Sequence, residues 1–285
     1  MSKIIISSDS TCDLSAELKE KYGIKIIPLG ITLGTQVYRD GVDITPEDIY
    51  AHHEKTGELP KTTASNVGEC IDYFTELKKD GDTIIHFTIS SKMSSTYNNT
   101  CMAAEEFDDV YVIDAQNLST GSGLLVLAAA EMANSGMEAP ASVEELEKLV
   151  PCVDASFVID SLEYLHKGGR CSAVAMLGAN LLKLKPCIEV KNGSMGVGKK
   201  YRGAYGRVLS EYDDERLQNV DDIDTSRVFV THAGCDEDII NAVVEQVKSK
   251  GIFDEVLLTR AGCTVSSHCG ANTLGVLLIR KSPIA

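Results

Sequence analysis

No stretch of this chain approaches the ~20 consecutive apolar residues that a membrane-spanning helix needs. The longest candidate, Gly123 to Met132, stops short and meets charge soon afterwards. The opening Met1-Ser2-Lys3 leads straight into Ile4-Ile5-Ile6-Ser7-Ser8, without the long apolar core and cleavage site of a signal peptide. A cytoplasmic protein with no integral membrane segment is therefore expected. Positive charge is also scarce: 27 Lys and Arg stand against 42 Asp and Glu, for a formal net charge of −15. Nucleic-acid binding needs clustered basic side chains to meet phosphates, so that class is disfavoured. The nine cysteines are scattered and include no Cys-x-x-Cys pair. They fit reduced thiols better than disulfides or a zinc site. A phosphate-binding Gly-x-x-x-x-Gly-Lys-[Ser/Thr] loop is missing, and Gly193, Gly196 and Gly198 fall in a hairpin rather than at a strand-to-helix turn. No nucleotide or other cofactor is expected.

What is present is an alternation of apolar strands and amphipathic helices. Strands are read over Lys3–Ser8, Lys25–Leu33, Thr83–Phe87 and Val110–Asp114. Helices are read over Leu14–Tyr22, from Thr45-Pro46-Glu47-Asp48 onward, from Ser65 or Asn66 to Lys79, over Asn98–Glu106 and over Ser122–Asn134. This rhythm implies α/β architecture with a mostly parallel sheet. Ser135 to Pro140 breaks the pattern, and a helix over Val143–Val150 bridges to a second half. There, strands over Ser156–Asp160, Arg227–Thr231, Glu255–Thr259 and Thr273–Arg280 accompany helices over Ala173–Leu184 and Asp236–Lys250. Asn192-Gly193 between Pro186–Lys191 and Met195–Tyr201 signals a hairpin, so the second sheet is mixed. The expected division is an N-terminal α/β domain, 1–150, and a C-terminal mixed-sheet α/β domain, 151–285.

Several polar or Gly-rich segments directly follow apolar runs: Asp9-Ser10-Thr11, Lys61-Thr62-Thr63, the Ser90–Tyr97 loop and Ser266-Ser267-His268-Cys269-Gly270. In open α/β sheets, ligands collect beyond the carboxyl ends of strands, so such loops can converge. A further segment, His166-Lys167-Gly168-Gly169-Arg170, pairs glycines with a cation suited to an anion. The hydroxyl-rich run from Thr88 to Tyr97 has three readings. It caps the following helix, it carries Ser94 as the nucleophile of a serine hydrolase or esterase with His268 as base, or its donors cradle an anionic head group. Ser94 lacks the Gly-x-Ser-x-Gly elbow and a local base. Hydroxyls can satisfy a carboxylate without burying a cation. The acidic pairs Asp213-Asp214 and Asp221-Asp222 read as solvated loops.

At these residues the chain resembles the DegV family of bacterial fatty-acid-binding proteins, over essentially its whole length and in order. The matching segments are Asp9-Ser10-Thr11-x-Asp13, Pro60-Lys61-Thr62-Thr63, Ile89-Ser90-Ser91-Lys92-Met93-Ser94-Ser95-Thr96-Tyr97, Leu165-x-Lys167-Gly168-Gly169-Arg170, Lys185-Pro186 and His268-x-Gly270. The resemblance implies a long-chain fatty acid in a buried apolar tunnel, its carboxylate held by Thr62, Ser94 and His268. It implies a non-enzymatic role, presenting the acid to a separate fatty-acid kinase that makes acyl phosphate for phospholipid synthesis. Arg170 and Arg202 would face the phosphate or the kinase, with Ser90, Ser91, Ser95 and Gly169 as support. The helices Ser122–Asn134 and Ala173–Leu184 are candidates to line the tunnel. The chain departs from the family at Ser95, where Gly is usual, and at Gly270-Ala271-Asn272, where Gly-Pro-Gly is usual. Asn tolerates positive φ, so Asn272 is expected to preserve that turn.

Overall fold

The computed structural model describes residues 3–79, 82–171 and 184–284. Strands β1 (Ile4–Asp9), β2 (Lys25–Ile27), β6 (Thr83–Thr88) and β7 (Val110–Asp114) form a four-stranded parallel sheet in the order β2-β1-β6-β7. A three-stranded antiparallel sheet, β4-β3-β5, is made by β3 (Gly30–Leu33), β4 (Gln36–Arg39) and β5 (Lys61–Thr63). The remaining strands are β8 (Val153–Asp154), β9 (Ser156–Ile159), β10 (Leu184–Lys191), β11 (Ser194–Arg202), β12 (Arg227–Ala233), β13 (Glu255–Arg260) and β14 (Thr273–Ile279). They form a mixed sheet, β11-β10-β9-β14-β12-β13 with β8 beside β14, in which only β12 and β13 pair in parallel. The α/β class, the parallel first sheet and the mixed second sheet are as the sequence pattern implies.

Local signals set most element ends. Thr45 and Asn66 cap helices Pro46–Thr56 and Val67–Leu77, each in a reciprocal capping box, with Asp48 and Glu69. Asn192 and Gly193 both take positive φ, 49° and 77°, as a two-residue hairpin turn of the favoured hand demands. The single strand expected over Lys25–Leu33 is instead two strands in different sheets, separated at Pro28, which has no N–H for a ladder. Pro140 does not break the chain but sits in the first turn of helix Ala139–Leu149, where its missing N–H costs nothing.

Helix Thr120–Asn134 is buried nearly all round, as a helix apolar on every side must be. Leu124, Leu125, Val126 and Leu127 pack in one core with Ile6, Ile85 and Phe87 of the parallel sheet and Phe157, Phe229 and Leu277 of the mixed sheet. The helix is core, and neither cavity described below includes its residues. The other helix expected to line a tunnel, Ala173–Leu184, lies outside the described residues except for Leu184, which begins β10. Asp213 and Asp214 are not in a loop: both lie on helix Tyr205–Arg216. Asp214 meets Lys250 at the surface, whereas Asp213 is fully buried and neither of its carboxyl oxygens has a hydrogen-bond partner among the described residues. Asp221 and Asp222 lie in a short turn near the surface.

Candidate functional site

A cavity of about 340 Å³ opens beyond the carboxyl ends of the parallel strands. Leu29 follows β2, Ile89 and Met93 follow β6, and Leu118 follows β7, so four apolar wall residues come from these connections. This is where an open α/β sheet leaves a crevice. Met195 of β11 and Val265 of helix Cys263–Cys269 extend the apolar wall. Its polar side chains include Thr62, Ser94, Ser95, Arg170 and His268. Thr62 and His268 are 206 residues apart, yet Thr62 Oγ1 lies 2.8 Å from His268 Nε2. β5 puts Thr62 opposite Ile31 of β3, which fixes that hydroxyl at the cavity.

His268 is not in a loop, as the polar run around it suggests, but on the two-turn helix Cys263–Cys269. The residue before that helix, Gly262, has no side chain to cap it. The cap comes from far away. Asp40 accepts hydrogen bonds from Cys263 N–H (2.7 Å), Thr264 N–H (3.0 Å) and the Thr264 hydroxyl (2.6 Å). Asp13 accepts Gly262 N–H (2.8 Å) and the Ser119 hydroxyl (2.5 Å), tying the same helix start to the entry of the central helix. Asp9 accepts Thr11 N–H and Ile89 N–H, the latter at 2.8 Å, and so anchors the first residue of the hydroxyl loop. All three carboxyls are buried. Burial pushes Asp9 up to about 6 and Asp13 up to about 8 against the donors that lower them. Asp9 and Asp13 belong to a segment that the sequence pattern marks without a role. Asp40 gives no local signal, because all its partners are distant in sequence.

The hydroxyl loop divides its work. Ser90 is buried and donates to Gly193 O at 2.7 Å, and Lys92 Nζ donates to Asn192 O at 2.7 Å. Those two bonds dock the hairpin tip, next to Met195. Ser91 N–H donates to Asp114. Neither Ser90 nor Ser91 lines the cavity; both hold the loop. Ser94 lies at the cavity, with Oγ 2.8 Å from Thr96 Oγ1 and accepting Thr96 N–H at 3.2 Å. Ser95, the departure from the family glycine, has φ −76° and ψ −1°, ordinary helical backbone. A side chain is accommodated there without strain. Asn272 takes φ 55°, the left-handed backbone that Asn tolerates.

Arg170 is exposed at the rim, with Nη1 donating to Gly168 O at 2.9 Å, and Gly169 closes helix Glu163–Gly168 at φ 69°. Arg202 ends β11 opposite Leu184, exposed and outside the lining. Burial, with the Arg170 charge adding to it, lowers the His268 imidazole to about 4. The ring is therefore neutral at pH 7. His268 Nε2 is engaged to Thr62 and Ser94 to Thr96, so the two are not joined here by the hydrogen bond of a Ser–His pair. No group of three or more potential metal ligands is found among the described residues, and no helix among them is long and apolar enough to cross a membrane.

Comparison with known proteins shows the family of the chain. The family model described as "Uncharacterised protein, DegV family" matches residues 3–281. A DegV domain-containing protein of Caldanaerobacter subterraneus subsp. tengcongensis is 31% identical, covering 99% of this chain and 100% of its own. Among solved structures, a DegV family protein from Thermus thermophilus, described for its fatty acid binding, is 30% identical with a TM-score of 0.90. That match covers 98% of this chain and 99% of the other. A stearic acid-binding protein from Eubacterium ventriosum is 30% identical with a TM-score of 0.83, covering 99% of both chains. With the match running from Lys3 to Lys281 and the fold shared from end to end, the chain belongs to the DegV family.

Proposed function

We propose that this chain is a carrier that binds a long-chain fatty acid in the cavity and presents its carboxyl end to a separate fatty-acid kinase. The observation that carries the reading is the convergence of Thr62, Ser94 and His268 on one cavity whose wall also includes Leu29, Ile89, Met93, Leu118 and Val265. Hydroxyl donors stabilise a carboxylate without burying a full positive charge, and the exposed Arg170 adds an attractive field at the rim. In this reading, residues 1–150 supply Thr62 and Ser94, residues 151–285 supply Arg170 and His268, and the ligand lies where the two halves meet. The acyl chain runs past Met93, Leu118 and Val265. Beyond Leu118, Val265 and Cys269 a second, small space of about 20 Å³ continues between Phe157, Val190 and Leu277, and takes the end of the tail. Each methylene buried there contributes about 0.8 kcal/mol. Arg170 and Arg202, both exposed, face the acyl phosphate or the kinase.

The test is denaturing extraction of protein purified from bacteria, followed by mass spectrometry for fatty acids. A stoichiometric long-chain acid is expected. Well-folded protein that yields no lipid and takes up neither oleate nor palmitate would sink the reading. Transfer of phosphate to the bound acid on adding a fatty-acid kinase and ATP tests the presentation step.

A further inference from the structure

His268 is gripped from behind by a glycine that the backbone does not need. Gly168 is the last residue of helix Glu163–Gly168, and its φ is not in the positive range that favours glycine. Alanine is the better helix former, so glycine here weakens the helix unless something forbids a β-carbon. Something does. A β-carbon built on Gly168 would fall 2.6 Å from His268 Nδ1, closer than real β-carbons come to any atom, and 3.5 Å from Cε1. The contact is reciprocal: a β-carbon on Gly270, at the end of the His268 helix, would fall 2.7 Å from the Tyr164 ring. Each helix thus lays an aromatic ring on the other's glycine.

The imidazole has little room to yield. Nε2 is held 2.8 Å from Thr62 Oγ1, and the helix start is fixed by Asp40 and Asp13. Nδ1 is buried with no hydrogen-bond partner among the described residues. A buried acceptor left bare costs less than a buried N–H left bare, so the ring proton belongs on Nε2. Nε2–H then donates to Thr62 Oγ1, and the Thr62 hydroxyl keeps its own hydrogen for another acceptor.

We propose that Gly168 is a positioning residue for the head-group site: it admits the His268 ring so that Nε2–H engages Thr62 and the Thr62 hydroxyl is left to donate to the bound anion. The proposal rests on the head-group reading above. It acts through His268 and requires no contact between Gly168 and the ligand.

A double-mutant cycle tests it, with oleate affinity measured for wild type, Gly168→Ala, His268→Ala and the double variant. Gly168→Ala should weaken binding roughly tenfold, the value of about one hydrogen bond, and His268→Ala similarly. In the His268→Ala background the added methyl should change affinity less than twofold. Equal losses in both backgrounds, or wild-type affinity in Gly168→Ala, would overturn the proposal. Nitrogen-15 spectra of the imidazole supply a readout that needs no ligand. The ligand-free wild type should show His268 protonated on Nε2 and bare on Nδ1, and Gly168→Ala should shift that pattern; an unmoved signal overturns the proposal. If wild type binds no acid at all, the head-group reading fails, and the spectra still decide the contact. Should Gly168→Ala fail to fold, removing the ring in the double variant should restore folding, and a double variant that also fails counts against the proposal.

Discussion

Asp40 offers the sharpest test of how the site is built. Its carboxylate is buried and accepts four hydrogen bonds, from Cys263 N–H, Thr264 N–H and the hydroxyls of Thr264 and Ser10. Asp40→Ala leaves two backbone N–H groups at the start of the His268 helix without an acceptor. Each such buried donor costs about 1–3 kcal/mol. The two hydroxyls can turn elsewhere; Ser10 Oγ already accepts Leu29 N–H. A loss of about 3–5 kcal/mol is expected, large against the 5–15 kcal/mol that holds a typical domain together. Asp40→Asn keeps one acceptor but brings an NH2 group among donors, so it should recover only part of the loss. The assay is urea unfolding followed by circular dichroism, comparing midpoints at constant slope. Because the cap holds the helix that carries His268, Asp40→Asn should also bind oleate more weakly under conditions where it is fully folded. A loss below about 1 kcal/mol for Asp40→Ala would refute the remote cap. So would unchanged oleate affinity in Asp40→Asn.

Two other perturbations give distinct outcomes. Burial, with the charge of Asp214 adding to it, raises the Asp213 carboxyl from 3.8 to about 8, so its contribution to stability is complete below pH 4 and is lost as pH rises to 8. Asp213→Asn, which cannot ionise, should gain on wild type by up to about 4 kcal/mol between pH 5 and pH 8, and urea midpoints that stay parallel across that window would refute this. Val190→Phe fills the small inner space next to Phe157 and Leu277. It should weaken octadecanoate while leaving dodecanoate nearly unchanged in competition binding; equal losses for both would mean that the tail does not run there.

Which features were legible follows from how far apart the cooperating residues lie. The strands β1, β6 and β7, the capping boxes at Thr45–Asp48 and Asn66–Glu69 and the Asn192-Gly193 turn are each specified within a few residues. The sequence pattern located the strands, the Thr45 cap and the turn, and left the second cap open between Ser65 and Asn66. The helix Cys263–Cys269 read as a loop because its capping carboxylate lies more than 220 residues away. Asp213 read as solvated because nothing local distinguishes a buried acid from its exposed neighbour Asp214. At the site, spacing alone left cap, nucleophile and cradle open, and the resemblance pointed to Thr62, Ser94 and His268. The fold brings those three to one cavity. It leaves Arg202 outside the lining and gives Ser90 and Ser91 the task of holding the loop.

The cap reading of Ser94 does not compete with the proposed cradle. A hydroxyl has two acceptor lone pairs and one hydrogen. Ser94 Oγ accepts Thr96 N–H with one lone pair and lies 2.8 Å from the hydroxyl of Thr96, which is fully buried. When Thr96 donates in that contact, both Ser94 lone pairs are engaged on the helix start, and only the hydrogen remains. A hydroxyl in that state is a donor with nothing left to accept with. It suits a carboxylate and is ill suited to lose its proton to a base, because an alkoxide there would need more donors than the loop supplies. With Thr96 as the donor, the bonds at the helix start would leave the Ser94 hydroxyl a one-way donor, the state that the proposed carboxylate site requires.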